Sequence, residues 1–202
     1  VMDADGQHDP SYIRKALKFI ESAKVDIVVG SRFTIGSRIR GLSKSRERGS
    51  SFANSLARLS LYGYYSYLSD YMSGFFVFNR KVCLEFIEKI DVNGFKFFYE
   101  LLAVSKGKLK VDEIPILFKE RLHGFSKLDL PVVWDFFISL IHSFIRRIIP
   151  RRAVSFALVG SIGDFVQLFT IYFLMGVLNL AFEQVLPIGV TVAASSNFIN
   201  NN

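Results

Sequence analysis

The spacing of hydrophobic residues changes along the chain and separates two regions. Up to about residue 127, short apolar runs alternate with charged and mixed segments, whereas the sequence beyond residue 130 is apolar and aromatic. In the first region, the β-branched run at 25–33 predicts a buried strand that ends near Gly30 and is followed by a loop. Behind Asp9-Pro10, residues 11–24 have helical spacing, so Asp9 is predicted to cap a helix.

Further along the first region, helical and strand patterns both recur. A helix is predicted to begin near residue 46, where basic and small residues give way to helical spacing. Residues 70–82 are predicted to form a strand in which Ser73-Gly74 allows close approach of the backbone. A turn and a helix bearing Glu100 follow, and residues 111–128 are predicted to be a strand that leads into a loop.

The second region has the length and composition of membrane segments. Residues 153–178 contain a single charge, Asp164, and are long enough to cross a hydrocarbon core, which takes roughly 20 residues. A second apolar stretch at 182–199 would complete a helical hairpin. A buried hairpin of a soluble protein is the alternative, but the length and the glycine and aromatic content favour the membrane.

Residues 131–149, between these regions, are apolar on most faces. We expect a helix along the bilayer surface, with arginine side chains reaching lipid phosphates; a core helix packed against the first region is the alternative. The basic cluster at the start of the first span predicts that the preceding region of this integral membrane protein is cytoplasmic. The members of this cluster are Arg146, Arg147, Arg151 and Arg152.

The composition narrows the class of partner. The 202-residue chain is 50% hydrophobic, with a mean hydropathy of +0.31, which is high for a soluble domain. Its net charge of +7 indicates an anionic partner: a nucleic acid, a phospholipid or a phosphorylated substrate. The basic residues adjoin hydrophobic segments rather than a nucleic-acid-binding motif, which argues against nucleic acid. The single cysteine, Cys83, excludes an internal disulfide.

The chain opens with a candidate metal site. Asp3 and Asp5 follow Val1-Met2, which would suit the end of a buried strand. Because the side chains of a strand alternate between its faces, Asp3, Asp5 and Gln7 would share one side. Two carboxylates and an amide oxygen suit a hard cation such as Mg²⁺ or Mn²⁺. A solvated turn is the alternative.

Two further segments are candidate phosphate sites. Arg46, Ser50 and Asn54 are spaced at i, i+4 and i+8, so they share one face of the predicted helix, which fits a phosphate group; a solvated amphipathic face is the alternative. After the last predicted strand comes a basic loop that could close over a pyrophosphate, with a plain surface loop as the alternative. This loop contains Lys119, Arg121, Gly124, Ser126 and Lys127.

Taken in order, these motifs resemble those of family 2 glycosyltransferases with a GT-A fold. The motifs are the DxD, the basic helix start, D-x-x-S-G at 70–74 and R-x-x-G-x-S-K at 121–127. Over residues 1–130 the chain is similar to polyprenyl-phosphate glycosyltransferases of the dolichyl-phosphate mannose synthase type. The apolar tail, with G-x-x-G-D-F and N-F-x-x-N, resembles the start of a GtrA-type membrane domain.

The resemblance implies an α/β fold and a division of the chain. Residues 1–130 would be the C-terminal part of a GT-A, Rossmann-like catalytic domain whose nucleotide-recognising N-terminal part precedes this sequence. Amphipathic interfacial helices would follow at 131–152, and two transmembrane helices of a truncated GtrA-like domain at 153–202. On this view, the chain is a piece of a longer protein and is not a competent enzyme by itself.

The resemblance also implies a reaction, which is metal-dependent transfer of mannose from GDP-mannose to dolichyl or another polyprenyl phosphate, with inversion, for protein glycosylation. Asp3, Asp5 and Gln7 match residues that bind the donor and Mg²⁺ or Mn²⁺, and Asp5 and Arg121 match catalytic residues. The residues that match a mobile loop at the donor are Arg121, Ser126 and Lys127.

The acceptor would be a membrane lipid whose phosphate lies near Arg46 and Ser50, which match the acceptor-side residues of the family. One rival is a polyprenyl-phosphate glucosyltransferase that uses UDP-glucose. Another is a non-catalytic, GtrA-like protein that moves or holds lipid-linked sugars. Oligomerisation is compatible with each of these functions.

Overall fold

The computed structural model describes residues 1–40, 44–90, 96–119, 130–145 and 148–201, and it divides into two compact units. Unit 1 spans residues 1–144 and unit 2 spans residues 145–202. The strands, all in unit 1, are β1 (Ile27–Ser31), β2 (Arg38–Ile39), β3 (Phe76–Phe78), β4 (Val111–Pro115) and β5 (Leu117–Phe118). The helices of unit 1 are α1 (Ser11–Ala23), α2 (Lys44–Ser60), α3 (Arg80–Ile87), α4 (Phe97–Ser105) and α5 (Leu130–Phe144). Those of unit 2 are α6 (Arg151–Leu178) and α7 (Phe182–Asn201).

Unit 1 is built on a mixed sheet with the order β3-β1-β4. Strand β1 pairs antiparallel with β3 and parallel with β4, so that Val28 lies between Val77 and Asp112. A second, smaller parallel pair joins β2 to β5. The predicted α/β class is therefore confirmed for this unit.

The central strand β1 has helices on both of its faces. Ile27 and Val29 point into the larger core, to which α2, α3 and α4 contribute, whereas Val28 points into a smaller core with Ala16 of α1. At Gly30, an added Cβ would meet the ring of Phe75, so the strand needs glycine where this ring crosses it. The continuous β-branched run is explained by burial on both sides.

Helix α1 begins one residue later than predicted, but its cap is the expected residue. The Asp9 carboxylate accepts a hydrogen bond from the Ser11 N–H at 2.9 Å, while Pro10 occupies the position before the helix. Asp9 also forms an exposed ion pair with Lys119 at 2.8 Å. Both interactions favour the carboxylate and hold the pKa of Asp9 well below its ordinary value.

Two expectations about strands are wrong. Val1 is 62% exposed, so the first residues are not the end of a buried strand; Met2 makes a single antiparallel bridge to Phe75 at the sheet surface. Strand β3 begins only at Phe76, which leaves Ser73 and the residue after it in a loop. Ser73 Oγ donates to the Gly30 carbonyl at 2.6 Å and thereby holds this loop across the end of β1.

Helix α5 packs against the larger core of unit 1 with one side and exposes apolar residues on another. Phe136 contacts Tyr99 of α4 edge to face at 5.9 Å, and Leu140 is buried in the same core. Val133, Phe137 and Phe144 are exposed. The core-helix alternative is thus supported for one side of α5, and the bilayer location of the other side stays a prediction.

Unit 2 is a helical hairpin, as predicted. Among the described residues, α6 is the one helix that is long and apolar enough to cross a membrane. Helices α6 and α7 approach closely where Gly163 faces Asn197, since a Cβ on Gly163 would collide with that side chain. The second span and the likeness to a GtrA-type domain stay predictions.

Candidate functional site

The Asp3 carboxylate lies directly over the backbone of the loop before β3. The Asp3 N–H donates to the Gly74 carbonyl at 3.1 Å, and a Cβ on Gly74 would collide with the Asp3 side chain. Gly74 therefore lets the carboxylate lie against the chain, which is the close approach that the Ser73-Gly74 pair predicted.

The chain turns immediately after Asp3, so the strand argument for Asp3, Asp5 and Gln7 is wrong. Gly6 has a φ of 78°, and the Gln7 N–H folds back onto Asp5 Oδ1 at 3.1 Å. Gln7 Nε2 donates to the Lys119 carbonyl at 3.2 Å. Asp3 and Asp5 nevertheless both lie near His8, where their charges act on the imidazole. A turn, rather than alternation along a strand, brings the two carboxylates to one region.

The described residues fit a divalent cation only in part. Within this portion of the chain, no three His, Cys, Asp or Glu side chains come together as a metal site. The candidate metal ligands are therefore the two carboxylates, with the Gln7 amide oxygen as the third predicted ligand. Such a set suits Mg²⁺ or Mn²⁺ bound together with the phosphate oxygens of a substrate.

A buried ion pair lies at the carboxyl end of β1. Arg32 Nε and Nη2 donate to the two oxygens of Asp70 at 2.7 and 2.8 Å, and Asp70 also accepts the Arg32 and Met72 N–H groups. The Arg32 side chain is 12% exposed and Asp70 is fully buried. Burial alone would lower the pKa of Arg32, but the hydrogen bonds and charge of Asp70 outweigh it and raise that pKa. The guanidinium is thus charged and fixed in position.

Glu113 of β4 holds the loop that carries Asp70. Its carboxylate accepts the N–H groups of Ser69 and Asp70 at 2.8 and 2.9 Å and the Ser69 hydroxyl at 2.7 Å. Ser31 Oγ lies 2.6 Å from Ser69 Oγ. The ends of β1 and β4 and the loop at 69–74 therefore form one rigid platform.

Two further titratable groups face this platform. Lys96, at the start of α4, is half-buried; burial and the Arg32 charge lower its pKa, while Asp70 and Asp3 oppose them. His8 is 7% exposed and packs between the rings of Phe75 and Phe118. Burial lowers the pKa of His8 despite the nearby carboxylates, so the imidazole is neutral at pH 7.

The predicted phosphate-binding face of α2 becomes more buried along the helix. Arg46 is exposed, Ser50 is half-buried and Asn54 is 5% exposed. Asn54 Oδ1 accepts the Tyr71 N–H at 2.7 Å. The helix face thus ends at the same loop that carries Asp70.

The structure therefore brings some predicted residues together and leaves others untested. The charge of Asp3 acts on Arg32, the charges of Asp3 and Asp5 both act on His8, and α2 meets the loop at 69–74. Sequence analysis missed Arg32 and Lys96 as site residues, although Arg32 follows a buried strand, where polar side chains of α/β proteins often serve a site. The loop residues Arg121, Ser126 and Lys127 lie outside the described residues.

Chemically, the site combines groups for a cation with groups for an anion. Carboxylates such as those of Asp3 and Asp5 are ligands that a divalent metal ion prefers, whereas cationic groups such as those of Arg32 and Lys96 are of the kind that binds phosphate oxygens. A diphosphate bound through a metal ion satisfies both requirements. The platform suits phosphate esters better than a neutral substrate.

Comparisons with known proteins agree with this chemistry. Residues 1–86 match the model of the family described as "Glycosyl transferase family 2". The chain is 32% identical over 170 residues to the "Dolichol-phosphate mannosyltransferase" of Pyrococcus furiosus, covering 83% of this chain and 46% of that protein. It is 33% identical over 135 residues to the "Polyprenol monophosphomannose synthase" of Mycolicibacterium smegmatis, covering 63% of this chain and 47% of that protein.

The chain spans about half the length of these curated relatives. The family match covers the described DxD turn, the Arg32–Asp70 pair and the α2 face. Both relatives carry names that combine a mannosyl group with a polyprenol or dolichol phosphate. Residues 1–86 of the chain are therefore similar to glycosyl transferase family 2.

Proposed function

We propose that this chain is part of an inverting glycosyltransferase that moves mannose from GDP-mannose to dolichyl or another polyprenyl phosphate. The observation that carries the proposal is that the Asp3 carboxylate lies close enough to the buried Arg32 and the half-buried Lys96 for its charge to act on both. The names of the two relatives supply the mannosyl group and the lipid phosphate.

In this proposal, Asp3, Asp5 and Gln7 hold Mg²⁺ or Mn²⁺ together with the donor. A metal ion held there would supply positive charge for the leaving diphosphate. Arg121, Ser126 and Lys127, which match the donor-side residues of the family, would bind the donor, with Arg121 adding positive charge at the diphosphate. Gly74 keeps the Asp3 carboxylate where it can reach the metal.

The acceptor needs positioning rather than deprotonation. A lipid phosphate is already ionised at neutral pH, so its oxygen attacks the anomeric carbon without a general base. Arg46 and Ser50 bind this phosphate. Glu100, which is 5% exposed in the first turn of α4, has a structural role.

The membrane segments keep the site close to its lipid substrate. Helix α6 crosses the bilayer, and the exposed apolar residues of α5 lie along its surface with the catalytic unit on the cytoplasmic side. Because the polyprenyl tail stays in the bilayer, this arrangement turns the search for the acceptor into a local one.

The test is a transfer assay with the protein purified from its native source, in liposomes with Mn²⁺ and dolichyl phosphate. GDP-mannose and UDP-glucose are offered in parallel, and sugar that enters the organic phase is counted. We expect mannose transfer that EDTA abolishes. Glucose transfer in its place would assign the UDP-glucose-dependent reaction, and tight binding of dolichyl phosphate without transfer would favour a non-catalytic carrier.

Asp5→Ala tests the metal assignment in the same assay. We expect mannose transfer to fall by at least about a hundredfold, as when a group that stabilises transition-state charge is removed. Asp112→Ala is the matched control, because Asp112 is an exposed carboxylate on β4 that accepts only a local N–H. Full activity of Asp5→Ala would remove Asp5 from the proposed site.

A further inference from the structure

One hydrogen bond, accepted by its oxygen, orients the side-chain amide of Asn54. The amide nitrogen, Nδ2, is a donor. The amide oxygen must face Tyr71, because the Tyr71 N–H can only donate, and the two atoms lie 2.7 Å apart. This contact fixes which end of the amide is oxygen and which is nitrogen. Nδ2 is buried and, within the part of the chain that the structure describes, has no hydrogen-bond partner.

A buried amide nitrogen without an acceptor is costly, and native proteins usually give such a group a partner. Asn54 lies one helical turn after Ser50 and two turns after Arg46, on the face assigned above to the acceptor phosphate. A phosphate oxygen bound beside Ser50 would have this donor about one helical turn away. The Tyr71 N–H accounts for the oxygen of this 5% exposed amide but leaves its NH₂ group to be explained.

We propose that Asn54 Nδ2 donates a hydrogen bond to the phosphate of the acceptor lipid, as a third binding residue beside Arg46 and Ser50. The inference rests on the proposed function and adds a residue to its acceptor site. The other end of the same amide holds Tyr71, next to the Asp70 that fixes Arg32. Acceptor binding therefore acts on the loop at 69–74 as well as on α2.

The test separates the two ends of the amide. Asn54→Asp keeps the size of the side chain and an oxygen for the Tyr71 N–H, but replaces the two N–H donors by an acceptor. Asn79→Asp is the matched control, because Asn79 is an exposed helix cap whose Oδ1 likewise accepts a backbone N–H, from Lys81 at 3.1 Å. Asn54→Leu is an uncharged variant of similar size.

Equilibrium binding to the full chain in detergent is measured with farnesyl phosphate, farnesol and inorganic phosphate. We expect Asn54→Asp and Asn54→Leu to bind farnesyl phosphate at least about tenfold more weakly, with farnesol binding unchanged. Asn79→Asp should match the wild type. Weaker inorganic phosphate binding as well would show that the headgroup suffices; an effect on farnesyl phosphate alone would show that the site needs the lipid-borne phosphate.

Thermal unfolding identifies which Asn54 variants are folded, and only the binding affinities of folded variants are compared with the wild type. Unchanged farnesyl phosphate binding in a folded variant would overturn the proposal, as would an equal loss of farnesol binding or no binding of farnesyl phosphate by the wild type. If binding depends on Asn54 but neither sugar nucleotide supports transfer, the proposed function fails while the phosphate-binding role of Asn54 stands.

Discussion

Asp70 is the residue on which the candidate site depends most for its structure. It is fully buried and accepts four hydrogen bonds, two of them from the Arg32 guanidinium. A buried charge whose partner is removed is far more costly than an exposed one, because water cannot replace the lost contact. The ion pair therefore fixes the position of Arg32, and loss of either side chain destabilises the platform.

Asp70→Asn should lower the free energy of unfolding by about 3–5 kcal/mol, since it leaves the buried Arg32 guanidinium without its counter-charge. Lys119→Met is the matched control, because it breaks the ion pair with Asp9, whose partners are 45% and 34% exposed. That change should leave the free energy of unfolding close to the wild-type value, because water screens an exposed ion pair. Denaturant unfolding of the full chain in detergent measures both values, and similar losses in the two variants would contradict the role of burial.

Single residues were predictable where the chemistry is local. Asp9 caps α1 through a neighbour two positions away, and this is visible in the sequence. Arg32 and Lys96 were missed because their importance comes from Asp70 and Asp3, which are distant in the chain. Asp70 itself was noticed only as part of the D-x-x-S-G motif. The strand argument for Asp5 failed because the chain bends directly after Asp3 and Gly6 takes a positive φ of 78°, a conformation that glycine adopts readily.

At the scale of elements, close packing between α6 and α7 depends on a missing side chain. Gly163 lies against Asn197, whereas Gly160, one turn earlier on the same helix, has open space around it. The two glycines thus offer a matched comparison within one helix. Helix interiors favour alanine over glycine by roughly 0.5–1 kcal/mol when nothing obstructs the methyl group.

Gly163→Ala should lower the unfolding temperature of the full chain in detergent, because the added methyl group pushes the Asn197 side chain from its place. Gly160→Ala should keep or raise that temperature. The double variant Gly163→Ala with Asn197→Ala should recover stability, since the obstructing side chain is gone. Equal effects of the two glycine changes, or no recovery in the double variant, would show that the helices do not meet at this point.

Hydrophobic spacing predicted most of the helices and strands but not the residues at which they begin and end. The buried run around Val28 and the amphipathic pattern of α2 produced the expected strand and helix. Strand β3 is shorter than predicted because the Ser73 hydroxyl and the Gly74 carbonyl hold the loop before it in place. Apolar residues of α5 could not be divided between core and surface from sequence, because the helix has such residues on both sides.

For the whole molecule, the sequence correctly predicted an α/β unit followed by an apolar helical hairpin. Helix α6 has 28 residues and exposes large side chains along its length, including Phe165, Leu168 and Tyr172. At about 1.5 Å per residue, a helix of this length exceeds the roughly 30 Å of a hydrocarbon core. These features favour insertion across a bilayer over burial in a soluble core.

The full chain should therefore float with liposomes in a density gradient and stay with them after washing in high salt or alkaline carbonate. Leu168→Arg places a charge at the centre of α6 and should reduce the carbonate-resistant fraction, because a charge at the bilayer centre costs about 2.5–3.5 kcal/mol or more. Lys24→Met, on the turn after α1, should have no effect. A wild-type chain released by salt alone would contradict a spanning helix.

The hydrogen bonds of the platform also determine when the site comes into existence. Arg32 and Asp70 are 38 positions apart, and Asp70 and Glu113 are 43 positions apart. Such contacts form only after long loops have closed, a step whose entropic cost makes them late events on a refolding path. A nascent or partly refolded chain thus has helices before it has a binding site, and recovery of ligand binding marks the completion of folding rather than its onset.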